Sequence, residues 1–222
     1  SSGKTRLVIG LEKVLGLITH RFIAIGDVVK NDLVWAGIAP DYKFEVIYPG
    51  LHELDKYPQS DARSALGLDQ SKKYLVFVGR LTTIKRPDRL IDVARFLKNN
   101  YPDSWVLIAG AGELLVSLST QVEKEVIPVT FLGWRKDIGM ILSASDIAVL
   151  CSDNEGIPLT LIQASQAGLP IVSTDVGSVS DIVVNGATGL LTEVSSKSLI
   201  QGVSVLLCDP VLCLRFGKAG EE

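Results

Sequence analysis

The sequence predicts an α/β protein built on a doubly wound parallel sheet, and three observations support this prediction. From about residue 74 onward, five short apolar runs alternate with longer segments of helical periodicity. The runs are almost continuously apolar, which is typical of strands covered on both faces. Hydrophobic residues make up 47% of the 222 residues and charged residues 21%, enough to bury a sizeable core.

The predicted strands mostly end in glycine or a polar turn: YLVFVG (74–79), SWVLIAG (104–110), VTFLG (129–133), DIAVLC (146–151) and PIVS (170–173). Between the first two, apolar residues at helical spacing predict a helix whose first turn suits Pro87. A second helix is predicted over LTLIQASQAG and ends at Gly168. Ligands of such sheets bind beyond the carboxyl ends of the strands, so functional residues are expected just after each run.

The amino-terminal region does not show this regular alternation of apolar runs and helical segments. A helical stretch over about 7–19 is followed by FIAIG, a helix-like GDVVKNDLVWAG, the run FEVIYP and a turn-rich loop at 49–61. This change predicts a domain boundary near Pro49. Residues 1–49 are too few for a stable α/β domain, so they are expected to be the remnant of a preceding α/β domain, with 50–222 as the main one.

Charge and hydropathy exclude several classes of protein. The 22 basic and 25 acidic residues give a net charge of −3, which argues against a nucleic-acid protein held by a general positive field. Any basic site must therefore be local. No apolar run reaches the roughly 18 residues that a membrane span needs, and the first residues lack the pattern of an export signal.

The cysteines do not predict a metal site. Cys151, Cys208 and Cys213 show no CxxC spacing, and His20 and His52 lie far upstream. We therefore expect no bound metal, and reduced thiols in the cytoplasm.

The segment SDNEGIPLTLI predicts an anion site where a strand passes into a helix. A helix that opens near Pro158 presents unpaired N–H groups and the positive end of its dipole, and Gly156 allows close approach of the backbone. The carboxylate of Glu155 would repel phosphate, so we expect it to face neutral hydroxyls beside the phosphate. The alternative is a capped turn in which Glu155 is solvated.

The segment VGRLTTIKRP places two cations after the first predicted strand. Arg80 follows Gly79 directly, and Lys85 lies five residues further on. Arginine offers a fork suited to phosphate oxygens and lysine a point charge, so the two can together stand in for a metal. The alternative is a solvated basic loop beside Arg86 and Arg89.

Two further turns carry weaker signals. GAGEL at 110–114 lacks the full GxGxxG pattern and does not follow the first strand, which argues against a dehydrogenase. Gly133 and Trp134 in FLGWRKD could form a turn that binds a nucleotide base, or Trp134 could lie at the edge of the core.

Taken together, these motifs resemble the carboxyl-terminal, donor-binding half of the GT-B-fold retaining glycosyltransferases of family four, the group 1 type. The resemblance covers nearly all the chain and depends on motifs in order: FIAIGDVVKNDLVWAGI, VIYPGLH, VGRLTTIKRPDRLI, LIAGAGE, FLGWRKDI, SASDIAVLCSDNEGIPLTLIQASQAGLPIVSTDVGS and NGATGLL. It implies a Rossmann-like domain that binds a nucleotide diphosphate sugar.

The resemblance also implies roles by position. Arg80 and Lys85, with Gly79 in the same loop, match the residues that hold the donor diphosphate. Glu155 matches the first acid of an E-x7-E motif, which contacts hydroxyls of the donor sugar. Backbone groups match the phosphate-binding turn at Gly156, Ile157, Pro158 and Leu159, and the base-binding turn at Gly133 and Trp134.

One position departs from this family pattern. The second acid of the motif is replaced here by Gln163. In the family a glutamate at this position accepts hydrogen bonds from the ribose hydroxyls. Glutamine keeps one acceptor oxygen and exchanges the other for an NH2 donor, which should weaken or retune donor binding by roughly 1 kcal/mol.

The resemblance implies that a sugar passes from a nucleotide diphosphate sugar, UDP-linked by analogy, to an acceptor hydroxyl with retention of anomeric configuration. Bacterial polysaccharide or glycolipid synthesis is the expected setting, without a metal or cofactor, in the cytoplasm or at the inner membrane face. The acceptor would bind through a missing amino-terminal domain, so the fragment is expected to be inactive. Alternatives are a sugar-nucleotide epimerase and a non-catalytic nucleotide-sugar-binding module.

Overall fold

The computed structural model describes the chain from Gly3 onward, with side chains from Arg6. It divides into two compact units, one ending at Leu51 and the other beginning at His52. This division falls close to the boundary predicted near Pro49. Each unit has its own cluster of buried apolar residues, and the larger cluster belongs to the second unit.

The first unit contains two short parallel strands with helices before and between them. Its elements are α1 (Gly3–Ile18), β1 (Phe22–Ala24), α2 (Asp27–Trp35), a 3-10 turn (Asp41–Lys43) and β2 (Phe44–Val46). The rings of Phe22 and Phe44 stack across β1 and β2 with centroids 4.9 Å apart. Lys43 donates hydrogen bonds to the carbonyls of Gly16 and Thr19 at the end of α1, where a cation is favoured.

The second unit alternates strands and helices along its length. It comprises α3 (Gln59–Ala65), β3 (Lys73–Val78), α4 (Asp88–Asn100), β4 (Ser104–Ala109), α5 (Leu115–Glu125), β5 (Val129–Gly133), α6 (Ile138–Ser143), β6 (Ile147–Leu150), α7 (Leu159–Gln166), β7 (Ile171–Thr174), a 3-10 segment (Gly177–Asp181), β8 (Gly189–Thr192), α8 (Ser196–Cys208) and α9 (Pro210–Glu221).

The strands of the second unit form one parallel sheet in the order β5-β4-β3-β6-β7-β8. Counted from β3, this is the doubly wound order 3-2-1-4-5-6. The chain moves outward from β3 to β5, returns to the middle, and moves outward on the other side from β6. The carboxyl ends of β3 and β6 are therefore neighbours at the point where the winding reverses.

The predicted sheet is confirmed, with one strand more than the sequence indicated. All five predicted strands are present within a residue or so of their expected ends, whereas β8 was missed. β8 is a short edge strand that begins at Gly189, so its sequence shows neither a long apolar run nor alternation. The loop predicted at 49–61 also ends earlier than expected, because α3 begins at Gln59.

A buried arginine ties α3 to the segment that enters β6. Arg63 donates to the carboxylate of Asp146 at 2.7 Å and to the carbonyls of Ala144 and Gln70 at 3.0 and 2.9 Å. Asp146 also accepts a hydrogen bond from the backbone N–H of Tyr74 at the start of β3. The central strands are thus joined at their amino ends by a polar network whose members are all paired.

Among the described residues, no single helix is long and apolar enough to cross a bilayer. α8 and α9 meet these requirements only as a pair, and the pair is bent by 103°.

Replacing Arg63 with alanine should lower the free energy of unfolding by about 3–5 kcal/mol. The change leaves the carboxylate of Asp146 poorly paired and removes the donors to two carbonyls. Arg95→Ala is the matched control, because Arg95 forms its ion pairs at the surface and should cost about 1 kcal/mol or less. Urea unfolding measures both, and equal losses would contradict the structural role of Arg63.

Candidate functional site

The loops that follow β3 and β6 meet at the carboxyl edge of the sheet, where doubly wound sheets are expected to bind ligands in a crevice. They are joined directly, since the N–H of Asp153 donates to the carbonyl of Ile84 at 2.9 Å. The thiol of Cys151 also donates to the carbonyls of Lys85 and Arg86, at 3.2 and 3.1 Å. Burial raises the pKa of this thiol, which therefore stays protonated as a donor. These bonds fasten the loop after β3 to the loop after β6.

Lys85 and Glu155 form an ion pair across this crevice. The ammonium of Lys85 lies 2.6 Å from Oε1 and 2.5 Å from Oε2 of Glu155. Glu155 is only 8% exposed, so the alternative of a solvated Glu155 is wrong. Lys85 is more accessible, with 21% of its side chain exposed. A buried carboxylate needs such a partner, because desolvation without one costs several kcal/mol.

The carboxylate of Glu155 also accepts a hydrogen bond from a second donor, Ser152 in the same loop. The hydroxyl of Ser152 donates to Oε1 of Glu155 at 2.5 Å. The carbonyl of Ser152 in turn accepts from the hydroxyl of Thr174 at the end of β7, at 2.8 Å. Sequence analysis missed Ser152 and the ion pair. The available signal was a hydroxyl residue three positions before the acid, within the same loop.

Gly177 allows the loop after β7 to press against the Glu155 turn. Its φ is +54°, and a Cβ at this position would lie 1.8 Å from the carbonyl oxygen of Glu155. The next N–H, that of Ser178, donates to the carbonyl of Gly156 at 3.2 Å. The turn that carries Glu155 is therefore supported from three loops, those after β3, β6 and β7.

Helix α7 begins at the predicted place. It starts at Leu159, directly after Pro158, and no side chain caps its first turn. Gly156 is exposed, Ile157 is partly exposed and Leu159 is 40% exposed, so this turn is open to solvent. The helix ends at Gln166, and Gly168 follows with a φ of +72°, as the predicted stop requires.

Gln163 lies within α7, in the second turn after the open end. Its side chain is partly exposed and forms no hydrogen bond with the described residues. Its amide therefore has no structural partner to lose if it binds a ligand.

Arg80 stands at the same edge of the sheet but apart from the ion pair. The N–H of Gly79 continues the ladder to the carbonyl of Ala109 at 3.0 Å, which fixes the start of the loop. The side chain of Arg80 is exposed and forms no hydrogen bond or ion pair within residues 6–222. The structure thus brings Lys85 to Glu155, and leaves the guanidinium of Arg80 available.

Two further cations, Arg86 in this loop and Arg89 in the first turn of α4, are already paired. Arg86 contacts Asp88 at 2.7 Å and Asp153 at 3.2 Å, and Arg89 contacts Asp153 at 2.6 Å and the carbonyl of Cys151 at 2.7 Å. The hydrogen bonds from Arg86 lower the pKa of Asp88. Burial acts to raise the pKa of Asp153, but hydrogen bonds from both arginines outweigh it and lower that pKa.

Gly133 and Trp134 lie further along the same edge, at the carboxyl end of β5. β4 separates β5 from β3, so these residues are two strands away from the loop of Lys85. Gly133 has a φ of +68°, and its carbonyl accepts from the N–H of Gly110 at 2.8 Å. Trp134 is 69% exposed with the ammonium of Lys136 5.7 Å from its ring, so the alternative of a core-edge tryptophan is wrong.

A cavity of about 650 Å³ lies at the opposite edge of the sheet. Lys73, Ile147 and Pro170 line it, and all three stand at the amino ends of strands. We place the candidate site at the other edge because ligands of doubly wound sheets bind beyond the carboxyl ends, at the reversal of the winding. Across the described side chains, no three His, Cys, Asp or Glu residues cluster as metal ligands.

Comparison with known proteins gives a family match. The family model described as "Glycosyl transferases group 1" matches residues 58–222. The Escherichia coli UDP-Gal:alpha-D-GlcNAc-diphosphoundecaprenol alpha-1,3-galactosyltransferase is 34% identical over 153 residues, which are 66% of this chain and 40% of that protein. The D-inositol 3-phosphate glycosyltransferase of Mycobacterium sp. (strain KMS) is 32% identical over 186 residues, 78% of this chain and 41% of that protein.

A solved structure extends the match to the fold. The crystal structure of Anabaena HepE in complex with UDP-glucose superposes with a TM-score of 0.85 at 24% identity, covering 96% of this chain and 62% of that one. This likeness confirms the predicted Rossmann-like α/β fold, whose structural neighbours are GT-B glycosyltransferases. The chain spans about two fifths of the length of the two curated relatives.

Acid should weaken the fold partly through Asp153. Its pKa lies below the ordinary 3.8 in the folded state, so its pairing stabilises the protein above pH 3.8 and is lost as the pH falls through the folded value. Asp153→Asn should therefore cost about 1–3 kcal/mol at pH 7, because the guanidinium of Arg89 is only 7% exposed and loses its carboxylate partner, and the difference from wild type should shrink in acid.

Urea unfolding at a series of pH values between about 7 and 3 measures this difference. Asp103→Asn is the control, since the carboxylate of Asp103 is 87% exposed and its ion pair with Lys72 is long at 3.9 Å. A difference between wild type and Asp153→Asn that stays constant down to the lowest pH would contradict the prediction.

Proposed function

The chain belongs to the glycosyl transferases group 1 family, and we propose that its second unit binds a nucleotide diphosphate sugar in the crevice between the loops after β3 and β6. In the whole protein the bound sugar would pass to an acceptor hydroxyl. The observation that carries the proposal is the Lys85–Glu155 pair at the reversal of the winding, beside the open end of α7.

The diphosphate would lie between the loop cations and the start of α7. Arg80 has no partner among the described side chains, and the side chain of Lys85 is 21% exposed in its ion pair. The backbone of Gly156 to Leu159 adds the N–H groups and dipole of a helix start. Negative charge grows on the diphosphate as the glycosidic bond breaks, and these groups would stabilise it.

Glu155 would bind the donor sugar. Its carboxylate is an acceptor with two oxygens, held at the base of the crevice, and hydroxyls of a sugar are suitable donors. When phosphate oxygens bind the ammonium of Lys85, the carboxylate of Glu155 would exchange that donor for a hydroxyl of the sugar. The expectation that Glu155 faces hydroxyls thus applies to the loaded site.

The nucleotide is proposed to be UDP, with its base near Gly133 and Trp134. The names of two proteins to which this chain is similar support this choice: one uses UDP-Gal, and HepE was solved with UDP-glucose. Gln163 would face the ribose. These roles, together with retention of configuration and a setting in bacterial polysaccharide or glycolipid synthesis, come from the family resemblance.

The chain alone is proposed to bind donor without transferring sugar. It covers about two fifths of its curated relatives, and the acceptor site is proposed to lie in sequence outside residues 1–222. A non-catalytic nucleotide-sugar-binding module is the second candidate, because Gln163 replaces an acid of the motif. Product analysis on a protein that includes the upstream coding sequence separates transfer, isomerisation and binding alone.

Removing either loop cation should weaken UDP binding, measured by calorimetry on the 222-residue chain. Arg80→Ala and Lys85→Ala should each lower the affinity by about 10-fold or more, because a hydrogen bond to a charged group is worth about 1.5–3 kcal/mol. Lys98→Ala is the control, since Lys98 lies at the far end of α4 and bonds only a backbone carbonyl.

Lys85→Ala also strips Glu155 of its partner, so the double variant Lys85→Ala/Glu155→Gln separates the two effects. The affinity of this double variant for UDP should be equal to that of Arg80→Ala or lower. Unchanged affinity in both single variants would remove the electrostatic basis of the proposal.

Gln163→Glu should raise the affinity for UDP by roughly 5-fold, the equivalent of about 1 kcal/mol. The added acceptor oxygen would bind a ribose hydroxyl that glutamine serves less well. Gln201→Glu, at an exposed position of α8, is the matched control. An affinity that is equal to or lower than that of wild type would show that Gln163 is not a weakened contact.

A further inference from the structure

Ser152 is a fully buried residue whose hydroxyl and carbonyl are both hydrogen-bonded next to Glu155. Its exposed fraction is 0%, and its hydroxyl lies 2.5 Å from Oε1 of Glu155. Its carbonyl is bound by the hydroxyl of Thr174, which is also 0% exposed. A hydroxyl that donates to a carboxylate at this distance makes a short, charge-assisted hydrogen bond.

The two donors to Glu155 differ in how easily they can leave. Lys85 reaches the carboxylate with a long, flexible and partly exposed side chain, so a diphosphate can attract its ammonium. Ser152 has one rotatable bond and no exposed surface, so it cannot follow a ligand. A carboxylate that lost both donors would be buried without a partner and would turn toward solvent.

We propose that Ser152 is a positioning residue that keeps Oε1 of Glu155 in place when Lys85 turns to the donor diphosphate, so that Oε2 is free to accept a hydroxyl of the donor sugar. The inference rests on the proposed function of this site. It assigns the two halves of the donor to different side chains. Lys85 serves the diphosphate, and Ser152 serves the sugar through Glu155.

This division predicts a selective effect on ligand affinity. Ser152→Ala should change the affinity for UDP by less than about 2-fold, because Lys85 and the start of α7 are intact and the carboxylate of Glu155 can turn to solvent once Lys85 leaves it. The same variant should lower the affinity for UDP-glucose and UDP-galactose by roughly 10-fold, which corresponds to the loss of a charge-assisted hydrogen bond. A general loss of structure would weaken all three ligands alike.

Calorimetry with UDP, UDP-glucose and UDP-galactose on the 222-residue chain tests the inference. Glu155→Gln should lower the affinity for the two sugar nucleotides relative to the affinity for UDP. Adding Ser152→Ala to Glu155→Gln should not lower these affinities further, because the two residues act as one unit. Ser145→Ala is the matched control, since Ser145 is equally buried but bonds a carbonyl of α6. Thr174→Val, which loosens Ser152, gives a smaller effect of the same kind if Ser152→Ala fails to fold.

Crystal structures of two ligand-free variants test the positioning role without any donor. In Lys85→Ala the carboxylate of Glu155 should stay within hydrogen-bonding distance of the Ser152 hydroxyl, whereas in Lys85→Ala/Ser152→Ala it should turn away. If Glu155 leaves its place in Lys85→Ala alone, the inference is overturned.

The outcomes separate the inference from the proposed function. Equal weakening of UDP and of the sugar nucleotides by Ser152→Ala overturns the inference and leaves the donor site standing. Failure of the wild-type chain to bind UDP overturns the proposed function, and the two crystal structures then decide whether Ser152 positions Glu155.

Discussion

The burial of the Glu155 carboxylate is the constraint on which the crevice depends. A charged group at 8% exposure is stable only with close donors, and this one takes them from two loops, Lys85 after β3 and Ser152 after β6. The two loops can meet only because the sheet reverses its winding between β3 and β6. Gly177 completes the arrangement from β7, since any side chain there would collide with the Glu155 carbonyl.

The positive charge at this edge is local, as the net charge of −3 requires. Arg86 and Arg89 contribute little to it, because Asp88 and Asp153 neutralise them and fix the loop. Arg86 also has an uncommon backbone conformation, with a φ of 51°. Of the basic residues in this loop, Arg80 remains without a partner in the described chain, and Lys85 is balanced by a single carboxylate.

The sequence predicted the sheet and the edge that carries the site, but not the contacts within the site. Apolar runs and helical spacing identify buried strands and helices, and parallel winding then places the loops after β3 and β6 at the same edge. Side-chain pairing does not follow from spacing. Lys85 and Glu155 are 70 positions apart, and their contact depends on strand order and loop conformation. β8 escaped prediction because an edge strand that begins with glycine carries little periodic signal.

In the proposed function, the ion pair between Lys85 and Glu155 makes the site selective among anions. An anion that attracts Lys85 must compete with Glu155, and the carboxylate that it leaves behind is buried. Inorganic phosphate offers nothing to that carboxylate, so part of its binding free energy is spent on breaking the pair. A sugar diphosphate presents oxygens to the ammonium and hydroxyl donors to the carboxylate in the same molecule. The ion pair therefore favours ligands that carry both groups at the spacing of a glycosyl diphosphate.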